Sequence, residues 1–192
     1  MACIPQYCKG RYFAAQTRAG RSVTGTYSVA PDGTLTVSPT VGAAPLAGGV
    51  SADGNTLLLS QLTSGQAPSI TVGLKQSQSA VTTADLSGTY ELATQESSGD
   101  KGSLRAITFD GAGNIDGSGK RNDAGPISIV ALTGTNCVAA DGTLTVIPTG
   151  GKPLTGSVSV DGQKTLLTSL NDGGSPSIWL GVFRALFDPW GY

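Results

Sequence analysis

The sequence predicts an all-β chain: an antiparallel up-and-down β-barrel, internally duplicated, with an incomplete first copy. Three observations predict it. Short runs alternate apolar and polar residues between Gly, Asp and Asn, as half-buried strands do. Four Asp-Gly pairs, Asp32-Gly33, Asp53-Gly54, Asp141-Gly142 and Asp161-Gly162, punctuate those runs. One phrase is written twice, TGTYSVAPDGTLTVSP from Thr24 to Pro39 and TGTNCVAADGTLTVIP from Thr133 to Pro148. Gly after Asp supplies the positive φ that two-residue hairpin turns require. Sequential hairpins of even length close most simply into a barrel.

The repeat continues beyond that phrase. APLAGGVSADGNTLLLSQL (Ala44 to Leu62) matches KPLTGSVSVDGQKTLLTSL (Lys152 to Leu170), and PSITVGL (Pro68 to Leu74) matches PSIWLGV (Pro176 to Val182). So long an internal match marks a duplicated unit. Residues 81–192 hold the fuller copy, of seven to eight strands with an aromatic C-terminal tail. Its strands are expected at Ser87–Gln95, Ser103–Asp110, Asn114–Arg121, Ile127–Leu132 running through a possible bulge into Thr133–Val138, Thr143–Pro148, Gly156–Val160, Thr165–Leu170 and Ser177–Arg184. Residues 1–80 hold about five strands and an unmatched N-terminal segment; some three strands of the unit have no counterpart before Met1. A partial barrel has unpaired strand edges, which residues 1–20, the second copy or another chain would meet. A homodimer through those edges is one expected partner. The shortfall reads either as a trimmed copy or as a frame that starts inside a longer, exported parent.

Composition narrows the functions. The chain has 192 residues, 39% hydrophobic and 13% charged, a formal net charge of −1 and no histidine. Without clustered Lys and Arg it has no electrostatic footprint for nucleic acid. No apolar run approaches the length of a membrane helix, and no basic stretch with an apolar core follows Met1. The missing histidine excludes Ser-His, Cys-His and His-metal mechanisms. Cys3 and Cys8 are close enough in sequence to close a small loop, which would leave Cys137 free.

LSGTY at Leu86 to Tyr90 resembles the G-x-W opening of the first strand in lipocalins and avidins, Gly88 and Tyr90 standing for the glycine and the aromatic. VTGTY (Val23 to Tyr27) and LTGTN (Leu132 to Asn136) look like avidin-type strand phrases as well. The resemblance implies a calycin-like barrel and, by analogy, a small-molecule cavity.

Candidate site residues come from two places. FDGAGNIDGSGKRND, Phe109 to Asp123, offers Asp110, Asn114, Asp116 and Asp123 as oxygen ligands for a divalent cation such as Ca²⁺, although Asp110-Gly111 and Asn114 are also what a hairpin turn demands. Differences between the copies are the second source. On the apolar face Tyr27 becomes Asn136, whose amide needs a neighbour or a ligand as partner. Cys137 falls on the opposite face, and with no base near it reads as a small packing residue rather than a nucleophile. The polar face Thr71, Gly73, Lys75 becomes Trp179, Gly181, Phe183, and the tail adds Phe187, Trp190 and Tyr192. Such a cluster lines an apolar pocket, stacks on sugars, or packs a tail. The charges Glu91, Glu96, Asp100, Lys101 and Arg105 read as surface.

The leading expectation is a non-catalytic small-molecule or glycan-binding barrel, with Asn136, Trp179, Phe183 and Trp190 at its site. One alternative is a hydrolase of activated esters or phosphate esters, using a metal held by Asp110, Asn114, Asp116 and Asp123 to supply hydroxide. Another is a structural exported repeat.

Overall fold

The structure, a computed structural model, describes residues 12–15, 25–40, 44–61, 69–75, 81–96, 101–169 and 177–184. Cys3, Cys8, Asp100, Phe187, Trp190 and Tyr192 lie outside those residues. The described chain is all-β apart from one 3-10 turn, Thr83–Asp85.

Eight antiparallel strands close a barrel in sequence order: β7 (Ser87–Glu96), β8 (Lys101–Asp110), β9 (Asn114–Asp123), β10 (Ser128–Val138), β11 (Thr143–Pro148), β12 (Leu154–Val158), β13 (Lys164–Ser169) and β14 (Ser177–Phe183). Closure comes from β14 pairing with β7, Phe183 opposite Tyr90 and Trp179 opposite Thr94. The run read with a possible bulge between Leu132 and Thr133 is one continuous strand, β10, shared by β9 along most of its length and by β11 at its end.

The first copy repeats the last five of these strands. It comprises β2 (Gly25–Val29), β3 (Thr34–Pro39), β4 (Leu46–Val50), β5 (Thr56–Gln61) and β6 (Ser69–Lys75), paired in sequence order. A sixth strand, β1 (Tyr12–Ala15), joins the sheet against β6, where the barrel has β7 against β14. One of the two expected edges is thus met by the N-terminal segment. The other, along β2, has no neighbour among the described strands. There the apolar face predicted for Tyr27 and Val29 is not buried: the two residues are 59% and 50% exposed, since no strand stands where β9 would.

All four Asp-Gly glycines have positive φ, from 68° at Gly54 to 85° at Gly33. Their loops are longer than the expected two residues. In each, the glycine N–H donates to the carbonyl three residues earlier, as Gly33 does to Ala30 at 2.9 Å. The aspartate accepts from the N–H two residues on, as Asp32 Oδ1 does from Thr34 at 2.9 Å. These are three- and four-residue loops around an Asx-stabilised turn, with glycine in the left-handed position.

Side chains alternate faces along each strand, so ladder register assigns the barrel interior. Leu92, Ile107, Phe109, Leu132, Val146 and Leu167 belong to one buried cluster inside it. The end of the barrel bearing the β8–β9 and β12–β13 turns is plugged. Val81 and Leu86 flank the 3-10 turn and join the core, Thr83 Oγ1 accepts from Val138 N at 3.0 Å, and Tyr90 OH donates to Gly162 O at 2.5 Å. Gly88, at φ 111°, lies under the Phe183 ring. Gly88 and Tyr90 therefore both serve the plug.

β13 departs from simple alternation, with both faces buried past Lys164. The first sheet lies on the barrel's outer wall, where Leu74 and Val72 of β6 pack against Leu166, Ile178 and Leu180. Lys164 Nζ also crosses to Thr56 Oγ1 (3.1 Å) and Asp53 Oδ2 (3.8 Å).

Candidate functional site

The opposite end of the barrel is built from different residues. Strand register aims Thr94, Glu96, Ser103, Arg105, Arg121, Ser128 and Ser177 inward toward it. Trp179 stands on the inner wall between this polar end and the plug, packed on the core below it. The interior is therefore graded along its axis, apolar at the plug and polar at the far end.

Arg105 is the centre of the polar end. Its position in RAITFD places it in register with Ile107 and Phe109 on the inner face, not on the surface as its charge alone suggested, and it is 8% exposed. Its guanidinium lies over the Trp179 ring, 4.9 Å from the centroid, a cation–π contact strengthened by desolvation. Nε donates to Ser103 Oγ at 3.0 Å. Ser103 Oγ is in turn 2.8 Å from Thr94 Oγ1, and Trp179 Nε1 donates to Ser177 Oγ at 2.9 Å. Beneath Arg105, across the ladder, stands Gly119; a Cβ there would collide with the arginine's own Cα and Cγ and with the Leu104 carbonyl.

The two carboxylates that the described residues place at this end are already engaged. Glu96 takes Arg121 at 3.2 Å, while Asp123 takes Lys101 at 2.7 Å and Arg121 at 3.6 Å. Arg105 has no carboxylate at ion-pair distance among the described residues. Burial pushes its pKa below the ordinary arginine value, the nearby Arg121 charge adds to that, and Glu96 opposes it. A guanidinium taken from water without a paired counter-charge is costly; the indole face, the Ser103 hydroxyl and the more distant Glu96 charge offset part of it here. In the loop next to Asp123, Ala124 holds a left-handed φ of 57°, a strained conformation for a residue with a Cβ.

The sequence-derived candidates divide by position. Trp179 belongs to the polar half. Phe183 lies four residues along β14, about 13 Å of extended strand away, in edge contact with Tyr90 at 5.3 Å in the plug. Asn136 is at the plugged end too. Its backbone N–H donates to Gly113 O at 2.8 Å, the residue is 7% exposed, and neither Oδ1 nor Nδ2 finds a partner among the described residues. Asn136 and Phe183 thus do not share a site with Trp179. Cys137 is exposed and free, not packed, because its strand position faces out. Glu91 does face out, 3.3 Å from Arg184.

The four oxygen residues do not converge. Asp110 is the hub of the β8–β9 turn, accepting from Ala112 N (2.7 Å), Asn114 N (2.8 Å) and Asn114 Nδ2 (2.6 Å); those bonds hold its pKa below the usual carboxylate range, Asn114's side chain contributing most. Asp116 points outward from β9. Asp123, at the far end of the same extended strand, is about 30 Å of chain from Asn114. One ion cannot take Asp110, Asn114 and Asp123 together, and no cluster of three metal-ligating side chains occurs among the described residues.

Arg105, Ser103 and Ser177 were not singled out from the sequence. The alternation in SLRAITFD carried the signal, since Arg105 shares parity with Ile107 and Phe109. Among the described residues no helix is long and apolar enough to cross a membrane.

No protein-family model matches the chain, and no curated protein is similar to it. Among solved structures, it is similar to a protein of unknown function from the DUF3598 family of Nostoc punctiforme, with 10% identity over 92% of this chain and 96% of that one, and a TM-score of 0.35. So low a score carries no argument about function.

Proposed function

We propose that this chain is a non-catalytic small-molecule or glycan-binding β-barrel whose ligand is held at the polar end of the interior, against Trp179. The observation that supports the reading is the axial grading of the barrel: a core-packed plug at one end, and at the other a set of inward-facing hydroxyls and charges arranged around one indole. Ligand sites join an apolar surface to a few fixed polar groups, and this end of the interior supplies both. The lipocalin and avidin resemblance at Leu86 to Tyr90 agrees with such a use, by analogy of fold. The metal-dependent hydrolase is less well supported, because its four proposed ligands are strung along one hairpin. The partner in solution is a second copy of the chain, pairing along the edge of β2 that no described strand meets, beside which Tyr27 and Val29 are exposed.

The test is a titration of isotope-labelled protein with benzamide, indole and methyl β-glucoside, following the Trp179 Nε1–H resonance and the Ser177 amide. A saturable shift at both positions with at least one probe, weakened in Trp179→Leu, is the expected result. Shifts confined to other surfaces, or none, would refute the reading.

A further inference from the structure

Resting on that reading of the polar end, we propose that the ligand carries an oxyanion, a carboxylate or sulfonate on a small aromatic body, and that Arg105 is the residue that receives it. Among the described residues, the polar end holds one more inward-facing cation than carboxylate. Lys101, Arg105 and Arg121 face this end against Glu96 and Asp123, and the ion pairs among the other four leave Arg105 as the surplus. The surplus is largely withdrawn from solvent, since the residue is only 8% exposed.

Its remaining bonds define what it can accept. Trp179 covers one face of the guanidinium and Ser103 takes Nε–H, so the Nη1 and Nη2 groups are left with no protein acceptor among the described residues. Two donors side by side in one plane match the two oxygens of a carboxylate or sulfonate, a fit a lysine ammonium lacks. Ser177, which already orients the Trp179 indole, stands beside the same wall. An aromatic body behind the oxyanion would meet the Trp179 ring edge and the inner surface of β8 and β14. Two independent observations, the unmatched buried cation and its fixed, half-satisfied donor set, point to the same chemistry.

Benzoate and benzamide differ mainly in charge and so separate the two levels of the claim. Wild-type protein is expected to bind benzoate about tenfold more tightly than benzamide, the margin by which charge-assisted hydrogen bonds exceed neutral ones, with a shift at the Arg105 Nε–H resonance. In Arg105→Gln the preference should shrink to less than about twofold while benzamide binding persists; Arg105→Lys should recover part of it. Benzoate should also raise the unfolding temperature of wild-type protein and not that of Arg105→Gln or Arg105→Met, either of which keeps the test alive if the other folds poorly. Benzamide bound as tightly as benzoate would overturn the oxyanion assignment and leave the ligand-binding reading standing. Binding of neither, at any concentration that leaves the fold intact, would overturn both.

Discussion

Replacing Asn136 by leucine is expected to stabilise the protein. Asn136 sits at the plugged end of the barrel, 7% exposed, with both amide atoms buried and neither hydrogen-bonded to any described residue. A buried polar group without a partner costs about 1–3 kcal/mol. Leucine has the same number of side-chain heavy atoms and the same branching, and its methyls face Val146 across the β10–β11 ladder. Its slightly larger volume offsets part of the gain, since overpacking costs about 1–3 kcal/mol where neighbours cannot shift. A net gain of about 1–2 kcal/mol is expected, which moves a urea midpoint by roughly 0.5–1 M at the usual slopes. Urea denaturation followed by circular dichroism measures it, with Asn136→Asp as the opposite control, because a charge there would lose more than about 3 kcal/mol. A leucine variant less stable than wild type would refute the reasoning, for it would mean that the amide is satisfied in the folded state.

Three further outcomes follow from the geometry. Burial, helped by the Asp161 charge, pushes Tyr90 from its ordinary 10.0 up to about 12; the raised value favours the neutral phenol, so this contribution is intact below pH 10 and is lost as pH rises through 12. Stability should fall by about 2–3 kcal/mol across that interval, and denaturation of Tyr90→Phe should lack that alkaline slope. A Cβ at Gly156 would collide with the Leu166 carbonyl of β13, as one at its counterpart Gly48 would with Leu58; Gly156→Ala should cost about 3 kcal/mol or more, and a loss under 1 kcal/mol in the same assay would show that the ladder can yield. Light scattering should give twice the 19.2 kDa chain mass, falling toward a monomer in Tyr27→Lys, since a charge on an edge strand opposes pairing; a monomeric wild type would remove the β2 edge as an interface.

Most of the architecture was legible in the sequence because it was written there twice. The repeated Asp-Gly-Thr-Leu-Thr-Val builds β3 and β11 with the same turn before each, and Leu35 and Leu144 are both buried. Turn length was less legible, since the glycine's positive φ is shared by two-, three- and four-residue loops. The double burial of β13 was hidden as well: which outer wall the first sheet covers depends on Leu74 meeting Leu166, a contact between residues far apart in the chain. At the site, residue type alone points to aromatics and acids and gives Arg105 the look of a surface charge. Parity along β8 would have placed it inside; its lack of a carboxylate needed the pairing of Glu96 with Arg121 and Asp123 with Lys101, which the register of β7, β8 and β9 brings about.

The seat beside β6 is held by β1, whose Tyr-Phe-Ala-Ala shares no pattern with the Ser-Gly-Thr-Tyr-Glu-Leu that opens β7, the strand in the equivalent seat of the barrel. Antiparallel pairing with β6 occupies it, and β1 also lies against β12 and β13. The seat beside the last strand of the unit therefore accepts more than one sequence, and an extended peptide offered from outside should compete for it by strand addition. Of the two copies, one is thus closed upon itself and the other is completed at β6 by a strand of unrelated sequence.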